Sequence, residues 1–333
     1  MKKYAVKNWA SNRVVWLVIL ALGLASILSV MSPYFLNLTN LLSITQFSVI
    51  VGLLGLGQTL VILGGGGGID LSSGAILSLS GVIMALAVAH GLNFVVASVM
   101  AAGIGLALGC LNGLLIAYQR LPALIVTLGT QYLFGSIALG ITNGTPLSPF
   151  PASFADLGQG FLGPIPNQVL FVLVPIAIIL WVIMRKTLYG QQLYAVGTNS
   201  VAARLVGISV VRMRWSLYAI NGLLAGVAAV VMSSWLNTAS PTAGSPYVLE
   251  SITVAVLGGT SIFGGEGSIG GTIMAIVVVT ILESGFQLAN INSVIQLGTL
   301  GLLLILSVMV NERGRMNALS PTRLTRMRRD HEQ

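Results

Sequence analysis

Residues 14–69 read VVWLVILALGLASILSVMSPYFLNLTNLLSITQFSVIVGLLGLGQTLVILGGGGGI, and between Arg13 and Asp70 the chain carries no formal charge. One bilayer crossing takes about 20 predominantly apolar residues, so this run holds two helices. A second uncharged run, from Leu71 to Gln119, holds two more. Across all 333 residues, 55 % are hydrophobic and only 7 % charged, with a mean hydropathy of +0.94. A soluble globule of this size could not be solvated by so little polar surface. The blocks are continuous and show no alternation of period two, which excludes a transmembrane barrel and leaves an all-α polytopic membrane protein. Forty glycines suit helices packed closely through small faces.

Ten helices are predicted, at about Val14 to Met31, Leu41 to Leu63, Ser72 to Ala89, Phe94 to Tyr118, Ala123 to Ile141, Gln168 to Met184, Trp215 to Leu236, Tyr247 to Phe263, Ser268 to Gln287 and Val294 to Val310. Charge tests the number, because Lys and Arg concentrate in short cytoplasmic loops. With Lys2, Lys3, Lys7 and Arg13 inside, Arg120 returns inside after four crossings, Arg185 to Arg214 after six, and Arg313 to Arg329 after ten. All 16 basic residues then share one face, and both termini are cytoplasmic. Trp9, Trp16, Trp181 and Trp215 near inner helix ends and Trp235 near an outer one agree with this map. The first apolar block follows Lys2 and Lys3 as a signal peptide would, but no small-residue cleavage site comes after Met31, so it reads as a permanent helix. The chain is a single transmembrane domain, residues 1–333, with a cytoplasmic loop at 185–214, a proline-rich outer connection at 143–167 and a basic tail at 311–333 that meets anionic membrane lipid. The net charge of +8 is thus an orientation signal, not a nucleic-acid footprint.

Catalytic chemistry has little to work with. His90 and His331 cannot form a ligand cluster, Cys110 stands alone, and no nucleophile–base set is available. Neither Gly64 to Gly68 nor Gly264 to Gly271 is followed by the Lys-Ser/Thr of a phosphate-binding loop. The sequence therefore predicts no enzyme, no metal and no cofactor. Asp70 and Glu266 lie at inner helix ends within glycine-rich turns that resemble faint repeats; Glu250 and Glu283 fall in the outer halves of the eighth and ninth helices. No carboxylate is expected near the midplane and no cation within a span, which argues against an ion-driven carrier and against an anionic solute. The helices offer neutral hydrogen-bonding groups instead. Of these, Gln58, Asn112, Gln131 and Asn221 are the candidates to line a path for an uncharged polyhydroxy solute, a role that competes with simple bridging between helices. Asp70 reads mainly as an anchor at the start of the third helix, and otherwise, like Glu266, as part of an inner gate or turn.

The inner loop 185–214 holds five basic residues and a short helix signal. Asn199 and Ser200 are suitable N-cap residues and Gly207 is a suitable stop, bracketing Val201 to Val206. Too short to be stable in water, such a helix makes sense as a knob in a partner's groove.

The run Val201-Ala202-Ala203-Arg204-Leu205-Val206-Gly207 resembles the Glu-Ala-Ala-x-x-x-Gly loop of bacterial ABC importer permeases, with Val201 in the Glu position. Gly67-Gly68-Ile69-Asp70-Leu71-Ser72-Ser73-Gly74 resembles the Gly-Gly-Ile-Asp-Leu-Ser-Val-Gly signature of the ribose/xylose/arabinose permease family, with Ser73 for Val. The segments 121–129, 194–199 and 257–268 agree, so the likeness runs from about Asn37 to Val310.

That resemblance implies a bacterial inner-membrane permease for a monosaccharide, working by alternating access. Its implied partners are ATP-binding subunits, a periplasmic solute-binding protein and a second permease copy or homologue. The loop residues Ala202, Ala203, Arg204 and Gly207 would couple to the ATPase, and the outer connection would help receive the binding protein or serve as a spacer. A nucleoside or autoinducer-like furanose is an alternative solute. An ATP-independent channel or a membrane scaffold is the alternative of another class.

Overall fold

The computed structural model describes the backbone over residues 6–318 and side chains over 14–309 and at Asn311. Lys2, Lys3, His331 and the tail residues Arg323, Arg326, Arg328 and Arg329 lie outside the described residues, as do the side chains of Lys7, Trp9, Arg13, Arg313 and Arg315.

The chain forms α1 (Val6–Met31), α2 (Leu38–Leu63), α3 (Ser73–Ala89) and α4 (Phe94–Gly113), which runs into a π-helical turn (Leu114–Tyr118) before α5 (Ala123–Thr142). A folded connection follows, with α6 (Ala155–Gln159) and a two-stranded hairpin, β1 (Phe161–Leu162) and β2 (Ile165–Pro166). A second π-helical turn (Val169–Leu173) leads into α7 (Val174–Lys186). The remainder is α8 (Leu188–Thr198), α9 (Ser200–Leu205), α10 (Val210–Leu236), α11 (Tyr247–Leu257), α12 (Ile269–Leu288) and α13 (Ser293–Ala318). The protein is a mostly helical, polytopic membrane protein: among the described residues, seven helices are long and apolar enough to span a bilayer, and three apolar helices are shorter, Ser73–Ala89, Tyr247–Leu257 and Ser293–Met309.

Helix α2 is the axis of the bundle. It is buried continuously from Val49 to Leu63, whereas α1 shows most of its apolar side chains, Trp16 at 68 % and Val30 at 88 % exposure. That contrast is what a membrane protein requires: the outer ring faces hydrocarbon and only the inner helices are sheltered by protein. The glycines of α2 do not interrupt it. Gly57 lets the side chain of Asn221 on α10 lie directly against the helix, where a Cβ would collide with the amide oxygen. A second close approach joins α4 to α10: a Cβ at Gly105 or Gly109 would run into backbone of Tyr218, Gly222 or Gly226.

Three sequence expectations are adjusted. The eighth segment ends at Leu257 instead of Phe263, because Gly259 (φ 100°) turns the chain and the amides of Gly259 and Thr260 bond back to Val256 and Ala255, a Schellman stop. The loop 185–214 contains an additional helix, α8, whose Leu193 and Val196 are buried. The seventh helix begins at Val210, so Arg212 and Arg214 stand within its first two turns. The connection 143–167 is folded onto the end of α10: Leu147 and Ala239 exchange backbone bonds of 2.9 and 2.8 Å, and Gly158 N donates to Ser234 Oγ at 2.9 Å.

Candidate functional site

The turn between α2 and α3 carries Asp70 into the bundle, where its side chain is fully buried. Oδ1 accepts from the backbone N of Ser72 at 2.9 Å and from Ser72 Oγ at 2.6 Å; Oδ2 accepts from Asn221 Nδ2 at 2.8 Å. Ser72 is the N-cap residue of α3 and makes no side-chain capping bond, because its hydroxyl is turned to Asp70 and accepts from Asn112 Nδ2 at 2.7 Å. The amide of Gln58, oriented by its partners, donates to the carbonyl of Asp70 at 3.2 Å and accepts from its N–H at 3.1 Å. Thr127 Oγ1 donates to the neighbouring Ile69 carbonyl at 3.2 Å. Helices α2, α4, α5 and α10 thus converge on one turn. Burial pushes the Asp70 carboxyl above the usual carboxylate range, while the hydrogen bonds from Ser72 and Asn221 act in the opposite direction.

Of the four path candidates, Gln58, Asn112 and Asn221 meet in this cluster, all fully buried. Gln131 does not: it stands partly exposed on α5, beside the buried face made by Val126, Thr130 and Phe134. Glu266 is exposed, and only its carbonyl is engaged, by the N–H of Ser261 at 2.8 Å. Two amide oxygens of the cluster, Asn112 Oδ1 and Asn221 Oδ1, are buried without a hydrogen-bond partner. Such acceptors are costly to leave unmet in the dry interior and are matched to a hydroxyl donor. Ser72 was missed as a member of the cluster; its signal was the Asp-x-Ser spacing, in which a carboxylate reaches the N–H two residues on.

The short helix expected in the loop 185–214 is α9. Asn199 Oδ1 accepts from the N–H groups of Val201 and Ala202, both at 3.0 Å, and Gly207 (φ 85°) ends it as Ile208 N bonds back to Ala203 O at 3.0 Å. Ala203 is buried and seats the helix, whereas Ala202, Arg204 and Gly207 are exposed. Val201, Leu205 and Val206 are 68 %, 84 % and 75 % exposed.

Helix α8 connects this knob to the buried cluster. Its Gly197 is wedged between the two glycine-rich turns, so close that a Cβ would strike the carbonyl of Leu63 and the backbone of Gly265. Gly265 N donates to Leu63 O at 3.0 Å, and Tyr194 Oη donates to Gly267 O at 2.9 Å.

A pair of carboxyl groups lies elsewhere. Glu250 on α11 is buried and Glu283 on α12 is half-buried.

Comparison with known proteins gives a consistent picture. Residues 40–308 match the family model described as branched-chain amino acid transport system / permease component. The chain is 37 % identical over 292 residues to the ribose import permease protein RbsC of Bacillus subtilis, covering 87 % of this chain and 90 % of that protein. It is 35 % identical over 313 residues to the fructose import permease protein FrcC of Rhizobium meliloti, covering 91 % and 86 %. The autoinducer 2 import system permease protein LsrD of Photorhabdus laumondii is 32 % identical over 283 residues, covering 83 % and 84 %. No solved structure matches.

Proposed function

The chain belongs to the permease family of ABC importers, and on that premise we propose that it is the inner-membrane subunit of an ATP-driven importer of a neutral polyhydroxylated solute, a monosaccharide. Permeases of this family are not enzymes; a separate subunit hydrolyses ATP. The observation that carries the solute class is the Asp70 cluster. It gathers amides and hydroxyls with two unmet amide oxygens and brings no cation to them, so it suits hydroxyl donors and offers nothing to an anion.

Alternating access supplies the mechanism. The ATPase engages the exposed apolar side chains and Arg204 of α9, with Ala202, Ala203 and Gly207 setting the shape of the knob. Movement of α9 is passed through α8 to Gly197, and from there to the turn that carries Asp70. Because Gln58, Asn112 and Asn221 hold that turn from three helices, shifting it repositions all three and opens or occludes the path. Gln131 lines the path farther along α5, and Glu266 holds the inner turn. Ten crossings with both termini cytoplasmic, a second copy or homologue across the path, and a binding protein seated on the outer connection complete the assembly. An autoinducer-like furanose is the second reading, favoured by the likeness to the autoinducer 2 permease.

The deciding experiment is uptake of labelled ribose and fructose into proteoliposomes containing the permease, its ATPase subunits and the binding protein. ATP-dependent accumulation is expected. Uptake by the permease alone would make it a channel, and assembly without any uptake would leave a scaffold. Arg204→Glu tests coupling: ATP hydrolysis persists while transport falls about tenfold, and unchanged transport removes the assignment of α9. For topology, Ser153→Cys and Ser209→Cys in a Cys110→Ser background label from opposite faces; labelling from one face refutes the ten-crossing map.

A further inference from the structure

Beside the Asp70 turn, and separate from the cluster itself, is a cleft of about 580 Å³ walled by the Gly65 to Gly68 backbone, the π-helical turn after α4, and the first two turns of α10. Three arginine side chains line it, from Arg120, Arg204 and Arg214, and among the described residues no carboxylate lines it. The nearest acid in sequence, Asp70, is already committed to Ser72 and Asn221. Arg120 is held in the left-handed backbone region at φ 59°, a conformation that costs an L-residue on the order of 1 kcal/mol or more and tends to persist at working sites. The floor of the cleft includes Tyr218, only 2 % exposed, whose hydroxyl has no hydrogen-bond partner; Arg214 Nε is likewise buried and unmet.

Gathering three like charges around a recess without a counter-charge is unfavourable unless an anion arrives, and guanidinium forks match the oxygens of a phosphate group. We propose that this cleft binds a phosphate group on the cytoplasmic side, with Arg120, Arg204 and Arg214 as charge partners and the Tyr218 hydroxyl as a further donor. An occupied cleft ties α9, through Arg204, to α10, through Arg214. Tyr218 and Asn221 lie on one face of α10, three residues apart, so the bound group fixes the helix that holds Asp70. Occupancy therefore opposes the movement required for transport: a phosphorylated product of the imported solute would restrain its own supply. The regulatory consequence rests on the importer reading; the binding does not.

The first measurement is binding of radiolabelled inorganic phosphate and ribose 5-phosphate to the full chain in zwitterionic nanodiscs. Saturable binding is expected, weakened about tenfold or more by Arg120→Gln or Arg214→Gln and partly kept by Arg214→Lys, while neutral ribose does not compete at the cleft. Nanodiscs containing phosphatidylglycerol separate the sources. If that lipid displaces both soluble probes and co-purifies with the parent chain but not with Arg214→Gln, the phosphate belongs to a lipid headgroup. If the soluble probes still bind, it belongs to a cytoplasmic ester. Absence of binding by all three probes, or binding unaffected by either glutamine variant in folded protein, overturns the site. In the reconstituted importer, ribose 5-phosphate inside the vesicles lowers transport by the parent and leaves Arg120→Gln less sensitive. Binding without that inhibition would overturn the regulatory role and leave the importer intact.

Discussion

The two glycine-rich turns, 64–72 and 258–268, look alike in sequence and touch each other in the fold, yet they do opposite things with their carboxylates. The first buries Asp70 completely, with one carboxylate oxygen held by Ser72 of the same turn and the other by Asn221 of α10. The second leaves Glu266 exposed and contributes backbone: Gly265 N to Leu63, Gly267 O to Tyr194, Gly264 against Gly65. Glycine content alone therefore says only that backbones approach closely. What separates a working turn from a supporting one is whether a polar side chain follows the glycines into a place with partners.

The comparison can be broken in stages. The largest effect is expected from Asp70→Ala, which strips the charged acceptor from Ser72 and Asn221 and leaves buried donors unmet, costing about 3 kcal/mol or more. A fall in the melting temperature of the purified permease together with loss of transport would show it; a fully stable variant would mean the cluster is not held by this carboxylate. Gly197→Ala comes next, since its methyl group must displace the Leu63 carbonyl and the Gly265 backbone at once, an overpacking of about 1–3 kcal/mol. Because Gly197 touches both turns, the variant should also slow transport more than its stability loss explains, measured as uptake per folded complex. Equal losses would deny α8 its role as a link. Gly264→Ala, at φ 88° and against Gly65, should destabilise by about 1–2 kcal/mol. Glu266→Gln should be nearly silent, within about 0.5 kcal/mol and with unchanged uptake. Should Glu266→Gln rival Asp70→Ala, the distinction between the turns is lost.

Much of the helical layout was legible because hydropathy is a one-dimensional property: uncharged blocks of the right length had to be helices in a membrane. Asp70, Gln58, Asn112 and Asn221 also stood out, as polar residues inside or at the ends of those blocks. Their meeting did not, since the bond from Asn112 to Ser72 joins residues 40 apart in sequence and the one from Asn221 to Asp70 joins residues 151 apart. Gln131 has the same chemistry but stands one turn farther along α5 than Thr127 and half-exposed, which keeps it from the cluster. Helix α8 was hidden because its apolar face is just Leu193 and Val196 amid glycine, glutamine and tyrosine, a weak signal beside a basic loop. The shortening of α11 depended on whether Gly258 and Gly259 would be spanned, as the glycines of α2 are, or would end the helix; the positive φ of Gly259 decided it.

The seam between α4 and α10 has a mechanical corollary. Where Gly105 and Gly109 lie flush on Gly222 and Gly226, there are no side chains to repack, so any slippage would drive one main chain into the other. These two helices must swing as a single girder. The give has to come from the ends of this girder or from outside it, and the π-helical turns at Leu114–Tyr118, after α4, and at Val169–Leu173, before α7, with their wider and looser winding, are the natural flexure points.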